Sequence, residues 1–310
     1  PCRERNGVIW VYMGPESPAP ELPEIEWNMV PAENVHLSKR VATNNWVQAL
    51  EGEIDSSHAG FLHSRRDRES RQVSIDRSPR FETIDTEYGV AIAARRDAGP
   101  DTYYWRINQF LLPFYTLVPP EGRVQTISGH AWVPIDDTNT LCFMFTYHPT
   151  NVMDPKWRDI LSRGRNGREP GHLSIDGALP ATSAAHGAFR PKANWSNDFG
   201  LDRSVEDVYY SGLGGLWPQD SGCQESMGAI YDRTKERLGS SDTGIIQMRR
   251  SLLRAVRALR EAGVSPAGAQ DPSVFKIRSI SIESPRTESW LDGAFKHRVA
   301  EGVYGYTIPT

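Results

Sequence analysis

The sequence predicts an α+β fold, an antiparallel sheet of about seven strands wrapped by helices. Two observations carry this. Between Tyr88 and Tyr147 the pattern is one of short strands separated by turn-formers, and helical periodicity appears once before that stretch and twice after it. With 310 residues and 38% hydrophobic content, the chain is large enough to bury one substantial core.

Gly7-Val-Ile-Trp-Val-Tyr-Met13 reads as a strand that needs an earlier partner. Pro15-Glu-Ser-Pro-Ala-Pro20 and Leu22-Pro23 cannot be helical and suit a connector between domains. From Asn44 to about Ala59, Trp46, Val47, Leu50 and Ile54 recur at three- and four-residue spacing. That is a helix with one buried face, and His58 continues the face.

Strands follow at Tyr88-Gly-Val-Ala-Ile-Ala-Ala94, Thr102-Tyr-Tyr-Trp-Arg-Ile107, Thr126-Ile-Ser-Gly-His-Ala-Trp-Val133 and Thr140-Leu-Cys-Phe-Met-Phe-Thr-Tyr147. Turn-formers such as Asp97-Ala-Gly-Pro100 and Asp136-Asp-Thr-Asn139 separate them into an antiparallel meander. Residues from about Arg163 to Asp202 lack periodicity and exceed an ordinary connection, as a surface excursion or a lid would.

A helix is expected from about Asp220 to Leu238, and a second opens at Ser241 or Asp242 as cap. The second carries Ile245, Ile246, Arg249, Leu252, Leu253, Val256 and Leu259 on one side and stops at Gly263. Val274-Phe-Lys-Ile-Arg-Ser-Ile-Ser-Ile282 alternates as a last strand.

Composition excludes several classes of function. A net charge of −4 leaves no electrostatic footprint for nucleic acid. Cys2, Cys142 and Cys223 are odd in number and far apart, so neither a disulfide framework nor a zinc ribbon is indicated, and a reducing cytosol is expected. No apolar run approaches the roughly 20 residues needed to cross a bilayer, so no membrane partner is expected.

The chemistry concentrates at His58 and His63, which follow Glu51, Glu53 and Asp55. On a straight helix a five-residue step turns about 500°, leaving the two rings about 140° apart. To meet at one metal ion the helix must end or bulge between them, and Gly60 is a suitable place. Histidines beside carboxylates are also common as hydrogen-bonded structural groups.

The long segment Asn45-Trp-Val-Gln-Ala-Leu-Glu-Gly-Glu-Ile-Asp-Ser-Ser-His-Ala-Gly-Phe-Leu-His63 closely resembles the iron-site segment of Rieske non-haem iron oxygenases, in the phthalate dioxygenase branch. Similarity extends to Ala94-Arg-Arg-Asp-Ala-Gly99, Tyr104-Trp-Arg-Ile107, Leu112-Pro-Phe-Tyr115 and Gln224-Glu-Ser-Met-Gly228 through Gly239-Ser-Ser-Asp242. The resemblance implies a helix-grip catalytic domain with Fe(II) held by two histidines and one carboxylate. His58 and His63 match the histidines, and Asp220 stands where the third ligand belongs. An Asp at a helix start is more often a cap.

Asp55 matches the carboxylate that, in the family, links a neighbouring subunit's Rieske cluster to the iron-bound histidine; it could alternatively be the iron's own carboxylate. Glu51 and Glu53 read as capping or interface charges. A carboxylated aromatic substrate would want an arginine fork, for which Arg80, Arg95, Arg106 and Arg123 are candidates. Trp217, with Trp105, Phe110, Phe114 and Tyr115, could line a pocket or simply belong to the core. The run Ser64 to Arg71 reads as a solvated or subunit-facing loop.

A Rieske [2Fe–2S] cluster needs Cys-x-His and Cys-x-x-His pairs, and this chain has neither. Pro1 to about Met13 resembles the last strand of the cluster domain. The expected organisation is therefore a remnant of that domain plus linker over residues 1–20 and the iron domain over 21–310. The resemblance further implies dioxygen as co-substrate, electrons from NADH through a reductase component, and a homotrimer or hexamer. Two other readings remain from the residues alone: a ligand-binding module without chemistry, and a zinc hydrolase using the same triad.

Overall fold

The computed structural model describes residues 1–64, 66, 72–120, 126–162 and 177–298. Its centre is an eight-stranded antiparallel sheet. The chain enters through a separate two-stranded hairpin, β1 (Cys2–Arg5) and β2 (Val8–Val11), so the early strand finds its partner just ahead of it. Trp10 of β2 stacks on the buried Trp27, and Asn6 donates to the carbonyls of Trp27 and Val30, which docks the hairpin on the body.

The sheet is built from β3 (Val35–Ala42), β4 (Arg80–Asp85), β5 (Gly89–Asp97), β6 (Thr102–Leu111), β7 (Tyr115–Val118), β8 (Ile127–Pro134), β9 (Thr140–Tyr147) and β10 (Ile280–Pro285). Spatial order is β3-β9-β8-β7-β6-β5-β4. β10 pairs with the first part of β6, from Thr102 to Ile107, while β7 pairs with its last three residues. The helices are α1 (Trp46–Ile54), α2 (Gln72–Ile75), α3 (Pro155–Ser162), α4 (Leu216–Ser226), α5 (Thr243–Ala262) and α6 (Trp290–Arg298).

One face of the sheet receives α1, α4 and α5. Leu50 and Ile54 of α1, Trp217 of α4 and Met248 of α5 pack there on Ala42, Val90, Ile92, Phe110, Trp132 and Cys142. Burying a side chain of the size of Leu50 or Ile54 contributes about 1.5–3 kcal/mol. The other face is covered by the segment from Ile25 to Val30, by Phe275 and Ile277, and by Trp290 and Ala294 of α6. Arg278 forks onto Glu26 there, and Tyr147 donates to the same carboxylate at 3.0 Å. Because both faces are covered, β5 and β6 are buried along almost their whole length.

Four expectations are corrected. The helix over Asn44–Ala59 ends at Ile54, because Asp55 turns extended (φ −79°, ψ 106°). The helix expected from Asp220 to Leu238 lies earlier, at Leu216–Ser226, followed by a short 3-10 turn at Arg233–Lys235. The last strand begins at Ile280, since Pro272–Phe275 form a 3-10 turn. On α5 the buried stripe is Gly244, Met248 and Ser251, while Leu253, Val256 and Leu259 are exposed. Gly244 permits this: a Cβ there would meet Ile92 at 2.8 Å, so the helix seats close on β5 through its small residues.

Arg123, most of the Ser64–Arg71 loop and the first part of the expected lid lie outside the described residues. No helix among the described residues is long and apolar enough to cross a membrane.

Candidate metal centre

The site forms where α1 stops. Asn45 caps the start of α1 by accepting from the Val47 N–H at 3.1 Å. At the other end the Asp55 carboxylate accepts from the Ser57 and His58 backbone N–H groups at 2.8 and 3.1 Å. This local turn outcompetes another helical turn. The regular helix therefore stops at Asp55, ahead of His58, and the break between the two histidines that their spacing requires comes where the following 3-10 turn ends, at Gly60. A 3-10 turn at His58–Gly60 then carries the chain on to His63. Gly60 also serves a close approach, since a Cβ there would meet the Val73 carbonyl at 2.5 Å.

Arg96 of β5 anchors the turn from below. Its Nη1 donates to Ser56 Oγ at 3.2 Å, its Nη2 to the Ser56 carbonyl at 2.5 Å and its Nε to the Asp76 carbonyl at 3.1 Å. Only 1% of Arg96 is exposed, so this is an interior strut.

Asp220 comes from the second turn of α4, inside the helix, so the capping explanation for it is removed. Gln48 of α1 donates to the carbonyls of Gln224 and Gly228 at 3.0 and 2.8 Å, and Gln224 donates to the Ala49 carbonyl at 3.3 Å. A Cβ on Gly52 would lie 2.4 Å from Gln224 Nε2, so glycine is what lets α1 and α4 approach.

His58 Nε2 and His63 Nε2 lie 3.0 Å apart. Asp220 Oδ1 is 3.6 Å from the first and 3.3 Å from the second. The far nitrogens are both taken. Gln219 Oε1 sits 2.6 Å from His63 Nδ1, and Gln219 is oriented by donating its own Nε2 to the Leu213 carbonyl at 2.8 Å. Asp55 Oδ2 lies 3.4 Å from His58 Nδ1. With protons held at both Nδ1 atoms, both Nε2 atoms present lone pairs, and a carboxylate oxygen joins them. Three electron-pair donors facing one point suit a cation, and their ligand atoms lie within 4.8 Å of one another, a group among the described residues that could hold a metal ion.

The electrostatics agree. Burial raises the Asp220 carboxyl, but the charge and hydrogen bond of His63 and the charges of His58 and His130 outweigh it and hold the group below its ordinary range. Burial likewise raises Asp55, and the hydrogen bond and charge of His58 with the two capping N–H groups bring it down.

The arginine candidates separate. Arg80 and Arg95 pair across β4 and β5, and Arg95 lies over Tyr103 and Trp105 on the α6 side, away from the triad. Arg106 is on the α1 side with Asn108, which donates to the Glu53 carbonyl at 3.4 Å. Arg106 is 6% exposed, and apart from one long contact to the Pro119 carbonyl its Nε and Nη1 have no partner. Trp217 is a core residue stacked on Trp132 and covered by the Arg40 guanidinium. Glu51 joins helices by accepting from Arg249 and Arg233, both at 2.7 Å. Sequence reasoning missed Gln219, Arg96 and His130. Only the adjacency of Gln219 to Asp220 could have signalled one of them.

A family profile described as LigXa C-terminal domain like matches residues 11–303. The 3-chlorobenzoate-3,4-dioxygenase oxygenase subunit of Comamonas testosteroni is 33% identical over 98% of this chain and 71% of that protein. The chain belongs to the Rieske-type oxygenases, as their catalytic domain. Among other relatives of this oxygenase domain, the phthalate 4,5-dioxygenase oxygenase subunit of Pseudomonas putida is 32% identical over 94% of the chain and 66% of its own length. The structure of dicamba monooxygenase bound to dicamba superposes with a TM-score of 0.52 at 14% identity, covering 84% of this chain and 70% of that one, a likeness of fold. The oxygenase domain thus spans about two thirds of the length of the second curated relative.

Proposed function

We propose that this oxygenase domain holds Fe(II) between His58, His63 and Asp220 and hydroxylates a carboxylated aromatic ring with dioxygen. The observation that carries the reading is the meeting of two imidazole lone pairs and one carboxylate oxygen at a single point, with the outer nitrogen of each ring facing a fixed acceptor. Fe(II), when bound there, supplies activation of dioxygen beside the substrate. The chain's own residues do the rest. Gln219 and Asp55 keep protons at His63 Nδ1 and His58 Nδ1, which fixes both ring orientations. Arg106 offers two unpartnered donors beneath the site for a substrate carboxylate. Phe110 and Trp132 belong to the apolar core on which α1 and α4 pack.

Electrons would come from NADH through a reductase and a Rieske cluster, reaching the site by way of Asp55 and His58. That cluster has no ligand pairs in this chain and would be contributed across a homotrimer or hexamer.

The test is turnover under ¹⁸O₂ by the full-length protein with its reductase and NADH, offered 3-chlorobenzoate and phthalate. The expected product carries ¹⁸O in a new ring hydroxyl, and Arg106→Leu raises KM more than it lowers kcat. Failure of every aromatic acid to yield a dioxygen-dependent product would refute the proposal.

A further inference from the structure

A half-buried pair sits on the same side of the sheet, outside the triad. Glu53 of α1 and His130 of β8 face one another, with Glu53 Oε1 2.5 Å from His130 Nδ1 and side-chain exposures of 11% and 16%. The rest of the surroundings place this pair next to the metal centre. Glu53 stands two residues before Asp55, and its backbone carbonyl accepts from Asn108, the neighbour of Arg106 on the same face of β6. His130 leans on Trp132 at 5.0 Å, and Trp132 stacks on Trp217, three residues before Asp220. Glu53 is among the charges acting on His58, and His130 among those acting on Asp220.

The pair is built like an orienting dyad. A carboxylate that takes the Nδ1–H fixes the imidazole plane and leaves Nε2 for something else. In this fold Nε2 of His130 meets no hydrogen-bonding group among the described residues, and the ring keeps a solvent-open edge. That nitrogen is therefore open to a molecule arriving from the solvent side. We propose that His130, oriented by Glu53, is a substrate-positioning residue whose Nε2 hydrogen-bonds an uncharged oxygen substituent, a hydroxyl or ether, on the aromatic acid.

Charge selects that class. Arg106 brings one positive charge without a carboxylate partner among its contacts, which matches one substrate carboxylate. At the dyad, the Glu53 carboxylate faces the His130 ring, so the pair offers no cation of its own. A second substrate carboxylate would therefore be desolvated next to the Glu53 charge, and Arg40, a further cation on this side, lies over the face of Trp217. The inference rests on the oxygenase reading for the identity of the bound molecule, and it assigns the dyad to recognition of a hydroxy- or alkoxybenzoate over a benzene dicarboxylate.

The experiment is calorimetry on the full-length, Fe(II)-loaded protein without dioxygen or electrons, so that binding is read without turnover. The probes are benzoate, 3-hydroxybenzoate, 4-hydroxybenzoate and phthalate, titrated into wild type, His130→Phe, His130→Gln and Glu53→Gln. In the wild type one hydroxybenzoate is expected to bind about tenfold tighter than benzoate, as one well-placed hydrogen bond provides. His130→Phe should abolish that preference while keeping benzoate affinity and iron content. His130→Gln, which keeps a donor, and Glu53→Gln should each retain part of it. The proposal is overturned if His130→Phe keeps the full preference, if phthalate binds tightest, if no probe binds, or if the variants lose iron or benzoate binding as a purely structural role would require. The broader oxygenase reading fails separately, through absence of iron or of ¹⁸O incorporation in the wild type.

Discussion

Gln219 holds His63 from behind the metal-facing edge: its Oε1 is 2.6 Å from His63 Nδ1, and its amide nitrogen is committed to the Leu213 carbonyl. The amide cannot turn over without losing both contacts, so the tautomer of His63 is set from α4, the helix that also carries Asp220. Removing the acceptor in Gln219→Leu should weaken Fe(II) binding by about 10- to 100-fold. Chelator competition measures this, and thermal unfolding should shift down as well, because the Leu213 carbonyl loses its donor.

Arg96 plays the corresponding part for the His58 side. Arg96→Met strips hydrogen-bond donors from Ser56 and from the Asp76 carbonyl, leaving buried acceptors unmet at a cost of about 1–3 kcal/mol. Both the denaturation midpoint and iron affinity are expected to fall, because the Asp55–Ser57 turn loses its anchor.

Gly52 governs the spacing between α1 and α4. Gly52→Ala drives a methyl group into Gln224 Nε2, which must abandon the Ala49 carbonyl. Overpacking of this kind costs about 1–3 kcal/mol. The shift separates Asp220 from the histidines, so iron affinity should drop together with stability. Iron titration alongside urea unfolding would reveal the pairing of the two effects.

Remote from the site, Glu26 and Arg278 test the core. Both are buried, at 6% and 1% exposure, and Tyr147 shares the carboxylate. Arg278→Met should cost about 3–5 kcal/mol by stranding a buried charge, whereas Glu26→Met with Arg278→Met should recover most of it. Urea unfolding of the single and double variants reads the difference directly.

The sequence made the centre of the sheet legible because β5, β6, β8 and β9 alternate between turn-forming clusters. β3 escaped notice because its Val-His-Leu-Ser-Lys-Arg-Val-Ala run carries cations, whose charged ends rest on the rings of Phe143, Phe189 and Trp217. The end of α1 was misplaced because apolar periodicity runs on through His58 while the side chain of Asp55 captures the backbone first. α4 was shifted because Pro218 in its first turn reads as a breaker, although proline is tolerated there. At the site, the local pair His58 and His63 was readable from spacing and resemblance. Gln219 and the Glu53–His130 pair were not, since a contact spanning 156 or 77 residues leaves no mark in local pattern.

The central claim concerns which groups hold the metal, and metal analysis after anaerobic Fe(II) loading of the full-length protein tests it most directly. One mononuclear iron per chain is expected in the wild type and in Asp55→Asn, whose amide oxygen can still accept from the Ser57 and His58 N–H groups, and none in His58→Ala, His63→Ala or Asp220→Ala. Retention of that iron by Asp220→Ala, or its loss in Asp55→Asn, would contradict the assignment.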